Sequence, residues 1–325
     1  MKKILLTYPV PEMCVEPYRE QFSLTIPENK LTEEQILEMI PEYEGLFLIG
    51  SRCGREILEA GVRLEAVGNF GVGYDNVDWK AATGRGIAVV NTPTQVTEAT
   101  AEHCVALIMA VMRQTSYYDR FVRAGNWDVP PFTDRCTLIA GSILGIIGFG
   151  RIGRRICRKA QGLGMQVMYY DKYRISPEEE QEYQVTYREM DDLLSSCDCI
   201  SLNMPYTPEN YHLIDSDSFD KMKSTSYLVN GERGPVVDEK ALVEALRQGK
   251  IRGAGLDVFD CEPRISPELM VMENVVLTPH IASAAFSTRI GMAREAMDGI
   301  TAVLRGERPY NVINPQIFHV KEDKN

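Results

Sequence analysis

Three charged residues close three short apolar runs in the second half of the 325-residue chain. Arg233 lies in Val229-Asn230-Gly231-Glu232-Arg233-Gly234, Glu262 in Asp257-Val258-Phe259-Asp260-Cys261-Glu262-Pro263, and His280 in Leu277-Thr278-Pro279-His280. Ligands of an open parallel sheet bind beyond the carboxyl ends of its strands. All three side chains are therefore expected at one crevice. A guanidinium grips a carboxylate through two N–H groups. An imidazole gives or takes a proton near neutral pH, and a neighbouring carboxylate favours its charged form. The set suits hydride transfer to a 2-oxo acid, with His280 as proton donor, Arg233 holding carboxylate and carbonyl, and Glu262 keeping His280 protonated. Taken singly, an Arg after a strand is usually a surface ion pair. The joint occurrence behind a cofactor motif carries the reading.

That motif is Gly148-Phe149-Gly150-Arg151-Ile152-Gly153, a Gly-x-Gly-x-x-Gly. Alone it is weak. Here the apolar run Ile143–Ile147 enters it, a helical pattern over 151–163 leaves it, and a second strand over Gln166–Tyr170 ends at Asp171. This is the dinucleotide fingerprint in order. Gly148 allows the turn, Gly150 admits the pyrophosphate, and Gly153 lets helix and strand pack. The free N–H groups at Arg151 and Ile152 favour an anion. Asp171 would take the adenosine ribose hydroxyls and repel a 2′-phosphate, so NAD is expected over NADP. Lys172 and Arg174 weaken that preference slightly.

The elements that position these residues alternate. Strand-like runs at Lys3–Tyr8, Gly45–Ile49, Leu64–Val67 and Ile87–Val90 interleave with helical stretches at 32–40 and 79–83. A second βα series begins at Ile143. Such alternation predicts parallel sheets covered by helices, an α/β fold of about two domains. One long helix is expected over Glu98–Arg123, serving as a domain crossing, a dimer element or a core helix. The last residues, Lys321–Asn325, read as a polar tail.

Composition narrows the class. A net charge of −11 repels phosphate backbones, so no nucleic-acid partner is expected. The uncharged, glycine-rich stretch at 136–150 is shorter than the ~20 apolar residues of a spanning helix, and the N-terminus lacks a signal-peptide pattern. No membrane partner and a cytoplasmic location are expected. The eight cysteines include no Cys-x-x-Cys pair and read as reduced thiols. Cys197 and Cys199 have the spacing of one strand face. Nothing nearby completes a zinc site, and no metal is expected.

With these motifs quoted, the chain resembles the D-isomer-specific 2-hydroxyacid dehydrogenase family over nearly its whole length. The further marks are Gly71-Val72-Gly73-Tyr74-Asp75-Asn76-Val77-Asp78 and Met204-Pro205-Tyr206-Thr207-Pro208-Glu209. The resemblance implies two Rossmann-like βα domains with NAD and substrate in the cleft between them. It places a discontinuous substrate domain at 1–97 plus 288–325 and an NAD-binding domain at 98–287. It implies a homodimer. It assigns the substrate carboxylate to the N–H groups of Val72 and Gly73 and the nicotinamide carboxamide to Asp257. It places Thr100, Pro205 and Gly231 against the cofactor.

Within the family, Asn91-Thr92-Pro93, Thr97–Glu102 and Gly125-Asn126-Trp127 are most similar to glyoxylate/hydroxypyruvate reductases and 2-ketogluconate reductases. Formate dehydrogenases carry Gln where Glu262 stands. An NAD-sensing corepressor-type protein is the alternative from another class. Glu232 departs from the small residue usual before the Arg. It could pair with Arg233 or affect the ribose contact, and is expected to face solvent. Arg52, after the strand at 45–49, is a candidate for the far end of a polar substrate.

Overall fold

The computed structural model describes residues 1–318; the tail expected at 321–325 lies outside them. The chain divides into two compact units, one from Met1–Val96 with the chain from Ala284 onward, the other from Thr97–Ser283.

In chain order the first unit contains β1 (Lys2–Leu6), β2 (Phe22–Thr25), α1 (Glu33–Met39), β3 (Gly45–Leu48), α2 (Arg55–Ala60), β4 (Ala66–Asn69), α3 (Trp79–Gly84) and β5 (Ala88–Val90). All strand pairs are parallel, in the order β2-β1-β3-β4-β5. β1, β3 and β4 are almost wholly buried because both sheet faces are covered. This is why they read as continuous apolar runs. β2, a short edge strand, carried no such run and no expectation from sequence.

Next come α4 (Val96–Met112), α5 (Thr115–Arg123), β6 (Ile143–Ile147), α6 (Arg151–Gly162), β7 (Gln166–Tyr170), α7 (Pro177–Tyr183), β8 (Thr186–Tyr187), α8 (Met190–Ser196) and β9 (Cys199–Leu202). They are followed by α9 (Ser216–Lys221), β10 (Tyr227–Asn230), α10 (Glu239–Arg247), β11 (Gly253–Leu256), α11 (Pro267–Val271) and β12 (Val275–Leu277). The parallel order β8-β7-β6-β9-β10-β11-β12 is that of a doubly wound dinucleotide fold. Strand order reverses between β6 and β9, and the fingerprint turn follows β6.

The final helix, α12 (Phe286–Leu304), returns to the first unit and lies on β3 and β4. A Cβ on Gly68 would sit 2.6 Å from Ile300 Cδ1, so the missing side chain in β4 admits the helix. Beyond it Asn314 clamps β5: its Oδ1 accepts the Val89 N–H at 2.9 Å and its Nδ2 donates to the Ile87 carbonyl at 2.8 Å. Both bonds are buried, which ties the distant C-terminal segment to the N-terminal sheet.

Two expectations are corrected. The helix expected over Glu98–Arg123 is two helices. Gln114 takes a left-handed conformation, φ 52°, at the break, and its side chain donates to the Val111 carbonyl at 2.7 Å. Nothing in the apolar pattern signals that bond. Cys197 and Cys199 do not share a strand face. Cys197 closes α8 and joins the core on one side of the sheet, whereas Cys199 lies in β9 and joins the other.

Candidate functional site

At the end of β6 two of the three fingerprint glycines are forced, Gly148 and Gly153. Gly148 has φ +94°, and a Cβ there would lie 2.6 Å from the Met204 nitrogen, on the segment leaving β9. On Gly153 a Cβ would lie 2.3 Å from the Gly148 carbonyl oxygen. Gly150, at the N-cap of α6, faces open space. The N–H groups of Arg151 and Ile152 open the helix without intrahelical acceptors. At the end of β7, Asp171 accepts the Phe149 N–H at 2.7 Å and the Tyr173 N–H at 2.9 Å. It is thus fixed against the same turn. An open cradle at a helix N-terminus beside a fixed carboxylate fits a dinucleotide with free ribose hydroxyls.

Arg174 is held elsewhere. Its Nε and Nη2 donate to the two oxygens of Glu180 at 2.7 and 2.9 Å, and its guanidinium lies over the Tyr187 ring. Of the remaining expected cofactor residues, Thr100 is buried in α4. Gly231 abuts Cys104, whose Sγ would be 2.6 Å from an added Cβ. The Pro205 carbonyl accepts from Asn210 Nδ2 at 2.8 Å.

The three candidate catalytic residues belong to one unit and act on one another. His280 Nδ1 lies 2.8 Å from Glu262 Oε2, and Glu262 Oε1 accepts the Phe259 N–H at 3.0 Å. The Glu262 hydrogen bond raises the His280 pKa above its ordinary value; burial and Arg233 oppose this, and the charge of Glu262 adds to it. For Glu262, burial pushes the pKa up, but the His280 bond and charge, the Phe259 N–H and Arg233 together hold it below the ordinary value. Arg233 is placed by its backbone. Asn230, ending β10, donates from Nδ2 to the Arg233 carbonyl at 2.9 Å and accepts the Glu232 N–H at 3.1 Å. Gly234 then lies directly against the Phe259 backbone.

Glu232 does not simply face solvent. Its side chain is 21% exposed, and Oε2 lies 3.9 Å from Arg233 Nη1, whose closer partner is the Glu232 carbonyl at 2.7 Å. Adjacency in the chain and a shared partly buried environment draw the two together.

Asp257 has no exposed surface. Burial raises its pKa, but hydrogen bonds from His103, Thr278 and the Ile281 and Ala282 N–H groups outweigh this and hold it low. His103 in α4 carried no expectation from sequence.

In the other unit, three successive carbonyls of the loop after β4 are each held by a hydrogen bond. Gly71 O accepts the Thr92 N–H at 3.0 Å, Val72 O accepts Asn91 Nδ2 at 2.8 Å, and Gly73 O accepts Asn69 Nδ2 at 2.7 Å. A trans peptide points its N–H opposite its C=O. Each following N–H group, of Val72, Gly73 and Tyr74, therefore points away from its held carbonyl, and none donates to a protein group among the described residues. Such a run of donors suits an anion. Asn69 and Asn91 were missed because a buried Asn at a strand end has no sequence signature of its own. Arg52 is exposed on the loop after β3. That loop is fastened to the donor loop by Cys53 N–H to Asn76 O, Asp78 N–H to Cys53 O, and Asn76 Nδ2 to Ser51 O.

Among the described residues no group of three or more His, Cys, Asp or Glu is placed to hold a metal, and no helix is long and apolar enough to cross a membrane.

Comparison with known proteins gives the family. The NAD binding domain of the D-isomer specific 2-hydroxyacid dehydrogenases matches residues 105–282. A glyoxylate reductase of Korarchaeum cryptofilum is 41% identical, covering 98% of this chain and 98% of its own length. The glyoxylate reductase of Pyrococcus furiosus is 39% identical, covering 98% and 97%. A crystal structure from Thermus thermophilus superposes with a TM-score of 0.89 at 34% identity, covering 96% of this chain and 99% of that one. The chain is an oxidoreductase with an NAD-binding domain and belongs to the D-isomer-specific 2-hydroxyacid dehydrogenase family.

Proposed function

We propose that the protein reduces a small 2-oxo acid, glyoxylate- or hydroxypyruvate-like or sugar-derived, to the D-2-hydroxy acid with NADH. The single observation that carries the reading is the 2.8 Å contact of His280 with Glu262, both under the charge of Arg233. Nδ1–H donates to the carboxylate, which leaves the proton on Nε2 as the one to give. Glu262 keeps the imidazole charged until the substrate oxygen needs that proton. Arg233 holds the substrate carboxylate and polarises the carbonyl as charge develops on its oxygen. NADH, when bound, supplies the hydride.

We assign a substrate carboxylate to the Val72 and Gly73 N–H groups, with Tyr74 N–H as a third donor. Arg52 meets a second polar or anionic group on a larger substrate. NADH is preferred over NADPH because Asp171 would repel a 2′-phosphate and Arg174, paired with Glu180, is not free to bind one. We place the protein in the cytoplasm and assign it a homodimer. The exposed apolar side chains Trp127 and Phe132, after α5, supply a surface for that pairing.

The test is NADH oxidation by purified protein against glyoxylate, hydroxypyruvate, pyruvate, phenylpyruvate and 2-ketogluconate, with the chirality of the product determined. Turnover on one or two small substrates is expected, to the D-isomer wherever the product is chiral; glycolate, from glyoxylate, has no stereocentre. NADH binding without turnover on any would overturn the reading in favour of an NAD-sensing protein.

A further inference from the structure

We propose that His103 is a positioning residue, which acts through Thr278 and Asp257 to hold the loop that presents His280. The inference rests on the reading of His280 as proton donor.

The spacing begins in the packing of α4 on β11. A Cβ on Gly253 would meet Val111 at 3.2 Å, and a Cβ on Gly255 would meet Leu107 at 3.2 Å. The two glycines let the helix lie close to the strand. Val111, Leu107 and His103 follow one another at four-residue steps along one helix face. Gly253, Gly255 and Asp257 follow at two-residue steps along one strand face. The next partners in this series are therefore His103 and Asp257. They meet with Nε2 3.3 Å from Oδ1.

Hydrogen-bond inventory then assigns the proton. Thr278 has a single hydroxyl hydrogen, and Oγ1 lies 2.6 Å from Asp257 Oδ1, an acceptor only. The hydrogen goes there. The 3.0 Å contact between His103 Nε2 and Thr278 Oγ1 must then be donated by the imidazole. Nε2 carries a proton and is shared between Thr278 Oγ1 and Asp257 Oδ1.

Asp257 is buried, and a buried carboxylate requires donors. It takes the Ile281 N–H on Oδ1 at 2.9 Å and the Ala282 N–H on Oδ2 at 2.8 Å, while its backbone carbonyl takes the His280 N–H at 2.8 Å. These bonds bracket His280, whose φ of +53° lies in the left-handed region that few residues with a side chain adopt. The loop holds that conformation because one carboxylate is anchored on both sides of it, and His103 is the side-chain donor that anchors the carboxylate from the helix. Without that donor, Thr278 is released from one partner and Asp257 from another, and the aim of His280 at Glu262 loosens. The charged groups acting on His280 are Glu262, Arg233 and Asp257.

Two measurements test this. In protein labelled with 15N-histidine, which has four histidines, the His103 signals are identified by their loss in His103→Gln. They should show a proton on Nε2; a proton on Nδ1 alone overturns the proposal. In His103→Leu with NADH binding retained, kcat/KM should fall about tenfold, the scale of a lost hydrogen bond to a charged group, and the midpoint of its fall with rising pH should move to lower pH. His103→Gln, which keeps a side-chain N–H donor, should restore most of both. A folded His103→Leu variant with wild-type kcat/KM and midpoint overturns the proposal. Undiminished turnover in His280→Ala would sink the reading of His280 itself, and the proposal with it. The tautomer measurement separates the two failures, because it reads the His103 anchor without any reference to turnover.

Discussion

Gly234 lies flush against Phe259: a Cβ on the glycine would sit 1.9 Å from the Phe259 carbonyl carbon. Gly234 follows Arg233, and Phe259 donates its N–H to Glu262. One backbone contact thus sets the Arg233 loop against the segment that aims Glu262. Gly234→Ala should move the loop by about the width of the missing space. Misplacement of about 1 Å costs on the order of 100-fold in rate, and overpacking costs about 1–3 kcal/mol of stability. Steady-state kinetics and thermal unfolding of the variant measure both. Wild-type values in each would remove the contact from the account.

The reductive reaction should slow as pH rises. It requires protonated His280, whose pKa Glu262 raises above the ordinary 6.5. The midpoint in kcat/KM should lie above that value, and oxidation of the hydroxy acid should show the opposite limb. Glu262→Gln should bring the midpoint down. Stability follows the same linkage. The His280 contribution is present below pH 6.5 and is lost as pH rises through its raised pKa. The Glu262 contribution is present above its ordinary 4.5 and is lost as pH falls through its lowered pKa. An unmoved midpoint in Glu262→Gln would contradict the pairing.

Cofactor choice should depend on Asp171. Loss of hydrogen bonds to a charged group costs about 1.5–3 kcal/mol, so Asp171→Ala should weaken NADH binding roughly tenfold or more. The preference over NADPH should narrow at the same time. Adding Glu180→Gln, which loosens the hold on Arg174, should narrow it further. Fluorescence titration with both cofactors reads the outcome, and an unchanged ratio would exclude Asp171 from the ribose site.

Asn91→Ala should raise the KM for the 2-oxo acid about tenfold while NADH binding stays unchanged. The substitution frees the Val72 carbonyl and lets the peptide bearing the Gly73 N–H turn. A loss in kcat alone, without a change in KM, would place the effect elsewhere.

Much of this molecule is legible along the chain. The turn at 148–153 is short-range: a strand, three glycines and a helix start must occur in that order, and the carboxylate of Asp171 must end the next strand. Arg233, Glu262 and His280 are legible as candidates because each follows a short apolar run of the strand-and-helix alternation, beyond the carboxyl end of a parallel strand. The family likeness rests on the same local patterns. What the tertiary structure decided are the partners. Gln114 breaks a helix whose apolar periodicity continues past it, and the sheet separates Cys197 from Cys199 though two residues apart. Asn314 and His103 are unremarkable as letters. They matter because they meet groups far away in the chain: Asn314 clamps Val89, and His103 reaches Asp257 and Thr278. Periodicity reports which face of an element is buried. Only packing sets which buried polar atom finds which donor, because that bond depends on the register of one element against another.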